Sequence, residues 1–223
     1  HIRQLTKDDR SPVTVADFAA QAVVAMCLQE TFGDIALVGE ESAADIRTQT
    51  DSKLVGAITA AVRYIKPKVT DNEVLDAIDL GNHDASATRY WTLDPVDGTK
   101  GFLRNGQYAV SLALIENGQV TLGVLGCTNL SADFSRPFTD PDPIGSIYYA
   151  TIGDGAWYLP AVSIDAAPQR INAATMISLD TLRLCESVEA AHSKRDDTTR
   201  VINHLKATSN PARLDSQCKY AVV

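Results

Sequence analysis

The spacing of apolar residues changes period several times along this chain, and each change marks an element. Thr14-Val15-Ala16-Asp17 has the form of a capping box, and an alanine-rich run follows to about Thr31. A helix is expected there, stopped by Gly33. Ile35 to Val38 is a short apolar run ending at Gly39-Glu40-Glu41, the pattern of a buried strand. Leu54, Ile58, Val62 and Ile65 recur at helical spacing before Pro67. Thr70-Asp71-Asn72-Glu73 opens a further short helix that Gly81 closes. Residues 82–89 are polar and read as a loop.

The second part of the chain reads as strands. Tyr90 to Leu93 is strand-like and runs into Asp94-Pro95-Val96-Asp97-Gly98-Thr99. Tyr108–Ile115 and Gln119–Leu125 are joined through Asn117-Gly118, a strong hairpin signal. Residues 128–145, rich in proline and aspartate, read as a long surface loop. Ile147–Ala150 and Ala156–Leu159 flank Gly153-Asp154-Gly155 as another hairpin. Beyond Pro168, Leu182–Cys185 looks like a strand, Asp196–Leu205 helical, and Asp215–Val223 like the start of a helix. Helices followed by an antiparallel meander and a mixed segment predict layered α and β. A boundary near 160–170 divides residues 1–165, an α+β domain, from 166–223, the start of a second domain that stops in mid-pattern.

Composition narrows the class. The 223 residues are 45% hydrophobic and 22% charged, a globular balance that disfavours intrinsic disorder. The net charge is −8 and no basic run stands out, so neither a nucleic-acid groove nor a polybasic membrane patch is expected. Phe18 to Leu28 is the longest uncharged apolar stretch and is too short to cross a bilayer. Cys27, Cys127, Cys185 and Cys218 include no C-x-x-C pair, which gives no support to a zinc or redox motif. Their wide spacing, with no signal-peptide core at the start, favours reduced thiols and a cytoplasmic protein.

The chemistry concentrates at Asp94-Pro95-Val96-Asp97-Gly98-Thr99. Pro95 presets a turn after a strand, and Gly98 permits an unusual backbone angle. Two carboxylates and an exposed carbonyl on one side of such a turn suit magnesium, which takes oxygen ligands. The amides of Gly98 and Thr99 suit an anion if a helix or nest begins there. Cation ligands beside anion-binding amides are the requirement of phosphoryl transfer. Aspartyl-phosphate phosphatases use D-x-D, whereas Asp94 and Asp97 are three apart, so a covalent aspartyl-phosphate is not expected. Glu40 follows another strand and supplies a third carboxylate if the two strand ends are neighbours. Asp17 is either the acid of a helix cap or a base that orients a water together with Thr99.

Ser11 to Asp17, Val38-Gly39-Glu40-Glu41-Ser42, Trp91 to Arg104 and Leu214-Asp215-Ser216-Gln217-Cys218-Lys219-Tyr220 together resemble the lithium-sensitive, magnesium-dependent phosphatases of the inositol monophosphatase superfamily. Among them the chain is most similar to the 3'(2'),5'-bisphosphate nucleotidases. The resemblance implies a layered αβαβα sandwich whose second, nucleotide-binding domain is truncated here. It implies that Glu40, Asp94, Asp97 and the Val96 carbonyl ligate magnesium, as two or three ions, with inhibition by lithium and sodium. Asp17 and Thr99 would then activate the attacking water. Gly98 and Thr99 would contact the substrate, Ser216 and Lys219 would hold the 5'-phosphate, and Asp215 and His192 would lie near the nucleotide. The implied reaction is hydrolysis of the 3'-phosphate of 3'-phosphoadenosine 5'-phosphate to AMP and phosphate. Two other functions remain: an inositol-phosphate phosphatase with the same metal centre, and a non-catalytic protein that binds the bisphosphate nucleotide. The chain has no initiator Met and lacks the family's W-D-x-A-A-G segment, so a longer gene product is expected.

Overall fold

The computed structural model describes residues 4–6, 12–48, 52–173, 175, 178–179, 182–188 and 195–223. They group into two compact units with interleaved segments, residues 1–99 with 110–124 and residues 100–109 with 125–223. The sequence-level boundary at 165/166 falls inside the second of these units.

In the first unit, β1 (Gln4–Thr6) and β2 (Pro12–Thr14) form an antiparallel pair that leads into α1 (Val15–Phe32). Gly33 takes φ 79° and donates its N–H to the Gln29 carbonyl, which ends the helix as its position predicts. Most of α1 is apolar all round because it is buried on two sides. Phe18, Ala19 and Ala22 pack with Ile46, Leu54, Ile58, Val62, Val74 and Ile78. Ala25 and Leu28 pack with Leu37, Trp91, Leu93 and Leu114. The first set comes from α2 (Ala44–Thr48), α3 (Ser52–Val62) and α4 (Asp71–Asp79). The second comes from β3 (Leu37–Gly39), β4 (Arg89–Asp97) and β5 (Ala109–Glu116). Helix therefore lies on sheet and on helix, the layering expected from the pattern.

Two predicted boundaries shift. Helix α3 stops at Val62, and Ile65 beyond it is 60% exposed rather than part of the apolar face. Strand β4 does not stop at Leu93: it carries on through Asp94, Pro95 and Val96 to Asp97. Helix α4 matches its prediction. Thr70 accepts from the Glu73 N–H, and the Glu73 carboxylate accepts from the Thr70 N–H at 2.7 Å. The hairpin of β5 and β6 (Gln119–Cys127) turns at Asn117 and Gly118, both at positive φ, as Asn-Gly requires.

In the second unit, α5 (Thr99–Leu103), which begins on the last residue of the first, is followed by β7 (Ser146–Thr151) and β8 (Gly155–Pro160), an antiparallel hairpin in the expected place. Strand β9 (Gln169–Ile171) pairs antiparallel with β8. Strand β10 is Cys185–Ser187, displaced toward the C-terminus from the expected Leu182–Cys185, and runs parallel to β11 (Ala212–Leu214). That register sets Glu186 opposite Arg213, and the two form an ion pair at 2.7 Å. Helix α6 is Arg195–Leu205, and α7 is only Cys218–Ala221, shorter than expected. Among the described residues, no helix is long and apolar enough to cross a membrane.

Thr70→Ala removes the cap of α4 and lowers stability by about 1 kcal/mol in urea unfolding. Glu73→Gln tests the other half. The hydrogen bonds from Thr70 depress the Glu73 pKa below the ordinary 4.5, so its contribution is present above that value. It is lost as pH falls through the lower, folded-state pKa. The difference between wild type and Glu73→Gln closes at acid pH.

Candidate active site

The parallel pairing of β3 with β4 creates the site. Leu37 pairs with Trp91, Val38 with Thr92 and Gly39 with Leu93. The next residue on each strand is a carboxylate, Glu40 on one and Asp94 on the other. Neighbouring strands are about 4.8 Å apart, so this register makes the two acids neighbours. Strand β4 then runs two residues further, through the buried Pro95 and Val96, and ends at Asp97. Asp17 lies in the first turn of α1 and is 3% exposed.

These four acids act on one another. Burial pushes the Asp94 carboxyl up to about 7, and the neighbouring Glu40, Asp97 and Asp17 carboxylates, with a hydrogen bond shared with Glu40, push it the same way. The Asp94 Oδ1 atom is buried and has no hydrogen-bond partner. A buried, unpaired carboxylate oxygen among like charges is unfavourable on its own. A hard divalent cation supplies what is lacking: positive charge and an acceptor for oxygen lone pairs. The donor set fits, since it is oxygen throughout. Among the described residues, no three acid, histidine or cysteine side chains stand in a ready-made coordination shell.

After Asp97 the chain turns at Gly98, with φ 88°, and α5 begins at Thr99. The Thr99 hydroxyl donates to the Val96 carbonyl at 3.2 Å, which ties the turn back on itself. The strand-then-turn predicted for Asp94–Thr99 is present, with the turn at Gly98 and not at Pro95.

The residues expected to hold the nucleotide belong to the second unit. Asp215 is 7% exposed, and Arg104 donates to its Oδ2 at 2.9 Å. Gly101 and Gly106 leave the room for this pair. A Cβ on Gly101 would meet the Gln107 carbonyl oxygen and the Asp215 side chain. Ser216 takes φ 64° and accepts the Cys218 N–H at 3.2 Å, and the Lys219 ammonium donates to the Ser216 carbonyl at 2.6 Å. Ser216 and Lys219 thus form a closed local turn at the start of α7. His192 lies outside the described residues.

Two residues with clear structural jobs went unassigned in the sequence. Arg104 had no predicted partner, because Asp215 is more than a hundred residues away. Gln21 had a visible signal: it is a polar residue one helical turn after Asp17, inside a run of alanine and valine.

The chain belongs to the inositol monophosphatase family, whose model matches residues 7–223. It is 38% identical over 226 residues to the 3'(2'),5'-bisphosphate nucleotidase of Schizosaccharomyces pombe, covering 97% of this chain and 64% of the relative. The chain therefore spans about two thirds of the length of that curated relative. Among solved structures it resembles the extragenic suppressor protein suhB of Bartonella henselae, with a TM-score of 0.57 and 16% identity over 97% of this chain and 61% of that one. It also resembles an IMPase/NADP phosphatase solved with Mg2+ and phosphate, with a TM-score of 0.53 and 17% identity, covering 99% of this chain and 60% of that one. These structural likenesses show the fold, the layered α/β sandwich anticipated from sequence.

Two predictions arise from this geometry. Asp94 has a folded-state pKa above its unfolded value of 3.8, so protonation favours the fold. In metal-free protein, the stability that Asp94 contributes is complete below about pH 4 and lost as pH rises through about 7. Thermal melts between those limits show this fall in wild type and not in Asp94→Asn. Gly101→Ala forces a Cβ against a backbone oxygen and lowers stability by about 1–3 kcal/mol in chemical denaturation.

Proposed function

We propose that this protein is a magnesium-dependent phosphatase that removes the 3'-phosphate from 3'-phosphoadenosine 5'-phosphate, giving AMP and phosphate. The observation that carries the reading is the Asp94 carboxylate, buried and unpartnered at Oδ1 and crowded by Glu40, Asp97 and Asp17. The named activity of the Schizosaccharomyces pombe relative supports the substrate class.

Glu40, Asp94, Asp97 and the Val96 carbonyl hold magnesium, as two or three ions in the complete protein. Bound there, magnesium supplies a lowered pKa for water and neutralises charge on the leaving oxygen. Asp17 and Thr99 orient the attacking water, Thr99 through the hydroxyl now on the Val96 carbonyl, and the Asp17 carboxylate is the base that takes up its proton. The turn at Gly98 and the amide of Thr99 face the phosphoryl group. Water attacks phosphorus, the bond to the 3'-oxygen breaks, one proton of the water passes to Asp17, and the leaving 3'-oxygen takes up a proton from solvent. No group on the chain is phosphorylated. Asp215, Ser216 and Lys219, in the segment from residue 166 onward, belong to the nucleotide-binding domain, with His192 near the nucleotide. Lithium and sodium inhibit by displacing magnesium, and the protein is cytoplasmic.

The test is phosphate release by the protein as its gene encodes it, with magnesium, from 3'-phosphoadenosine 5'-phosphate, AMP and inositol 1-phosphate. Release from the bisphosphate, falling roughly 100-fold or more in Asp94→Asn, is the expected result. Preference for inositol 1-phosphate would assign the sister activity. Tight nucleotide binding without release from any substrate would make the protein a binder.

A further inference from the structure

Gln21 is fully buried, and its carboxamide makes three hydrogen bonds to main chain. Its Oε1 accepts the Glu41 N–H at 2.9 Å. Its Nε2 donates to the Glu41 carbonyl at 2.6 Å and to the Ile78 carbonyl at 2.8 Å. Both backbone groups of the residue after Glu40 are therefore held by one side chain.

The surroundings are built around that amide. A Cβ on Gly39 would lie 2.5 Å from the Gln21 Oε1, and a Cβ on Gly81 would lie 2.5 Å from its Nε2. The carboxamide thus sits between two glycine faces that no other residue could present. The same turn is fastened at both ends: Gly39 donates to the Gly81 carbonyl at 2.8 Å, and Ala43 donates to Asp79 Oδ1 at 2.9 Å. Gln21 also lies one helical turn after Asp17, so the two share a face of α1.

We propose that Gln21 is a positioning residue of the cation centre: by clamping the main chain of Glu41 it holds the Glu40 carboxylate beside Asp94. The inference rests on the reading that Glu40 and Asp94 ligate the cation. Glu40 itself is exposed, and the clamp fixes the main chain of the residue that follows it. Buried donors and acceptors that lose their partners relax toward others, and the turn carrying Glu40 moves with them. Supporting residues of this kind change metal affinity by 10- to 100-fold.

The probe is Mn2+ binding followed by electron paramagnetic resonance and calorimetry, which needs no turnover. Gln21→Met keeps the side-chain volume and removes all three hydrogen bonds, and its Mn2+ dissociation constant rises about 10-fold or more. Thr70→Ala is the control for general destabilisation, and its affinity stays at the wild-type value. Gly81→Ala attacks the same amide from a residue remote from the ligands. It weakens Mn2+ binding in wild type and adds less in the Gln21→Ala background, where only the 3.1 Å approach to the Ile78 carbonyl remains. The Gly81→Ala single variant carries the test if Gln21→Met does not fold. Wild-type affinity in Gln21→Met or in Gly81→Ala would overturn the proposal and leave Gln21 as a core residue. Glu40→Gln separates the two levels. If it binds Mn2+ as wild type does, the ligand assignment fails and the proposal with it. If it weakens binding while the Gln21 variants do not, only the role of Gln21 fails.

Discussion

The register of β3 against β4 is the constraint on which the site depends. Gly39 opposite Leu93 makes the next two residues neighbours, Glu40 just past the end of β3 and Asp94 on β4. A slip by one residue would turn Asp94 to the other face and bring a leucine or a proline in its place. The register is secured by what lies beneath it. Leu37, Trp91 and Leu93 are buried against Ala25 and Leu28, so a slip would also expose that cluster. The apolar packing that makes the fold stable is thus the same packing that forces like charges together. Repulsion of Asp94 by Glu40, Asp97 and Asp17 is the cost, and a divalent cation bound there, as proposed, would convert it into affinity.

Helix α1 carries two roles on one face. Asp17 brings a carboxylate to the centre from its first turn, and Gln21 pins the loop that follows β3 one turn later. Because the helix is buried against helices on one side and the sheet on the other, neither side chain can drift independently. Rigid elements rather than loops therefore set the relative positions of Asp17 and Asp94. Glu40 sits on an exposed turn, and the main chain next to it is held by Gln21.

Much of this was legible before any coordinates, and the reasons differ by element. Local signals read well: the Thr70–Glu73 capping box, the Asn117-Gly118 turn and the stop at Gly33 each depend on residues within one turn of chain. The Asp94–Thr99 segment was legible because its residue types have separate tasks, although Pro95 stayed in the strand instead of turning it. The pairing with β3 ends at Leu93, so Pro95 faces no β3 residue that its missing N–H would serve. What sequence could not supply was pairing at a distance. The parallel match of β3 with β4 spans more than fifty residues and leaves no local trace. The Arg104–Asp215 ion pair spans 111, and the three bonds of Gln21 reach 20 and 57 residues away. Ile65 failed for another reason: periodicity continued past the helix end, and exposure rather than spacing decided its place.

In the proposed function, a carboxylate–cation centre acts on the phosphoryl group and carries little information about the alcohol attached to it. Selectivity among phosphate monoesters must therefore arise from groups that touch the rest of the substrate. In the second unit, two cations near the expected nucleotide residues already have partners. Arg104 is bonded to Asp215, and Lys219 to the Ser216 carbonyl. An anion taken up by Lys219 must replace a neutral carbonyl, an exchange that charge-assisted hydrogen bonding favours. An anion taken up by Arg104 must instead compete with a buried carboxylate of the same sign, and Asp215, 7% exposed, would lose its ion pair with Arg104 in doing so. Of the two cations, Lys219 is the one whose present bond yields readily to a phosphate. Arg104 is better suited to hold Asp215 and, through it, the turn at Ser216 from which Lys219 extends.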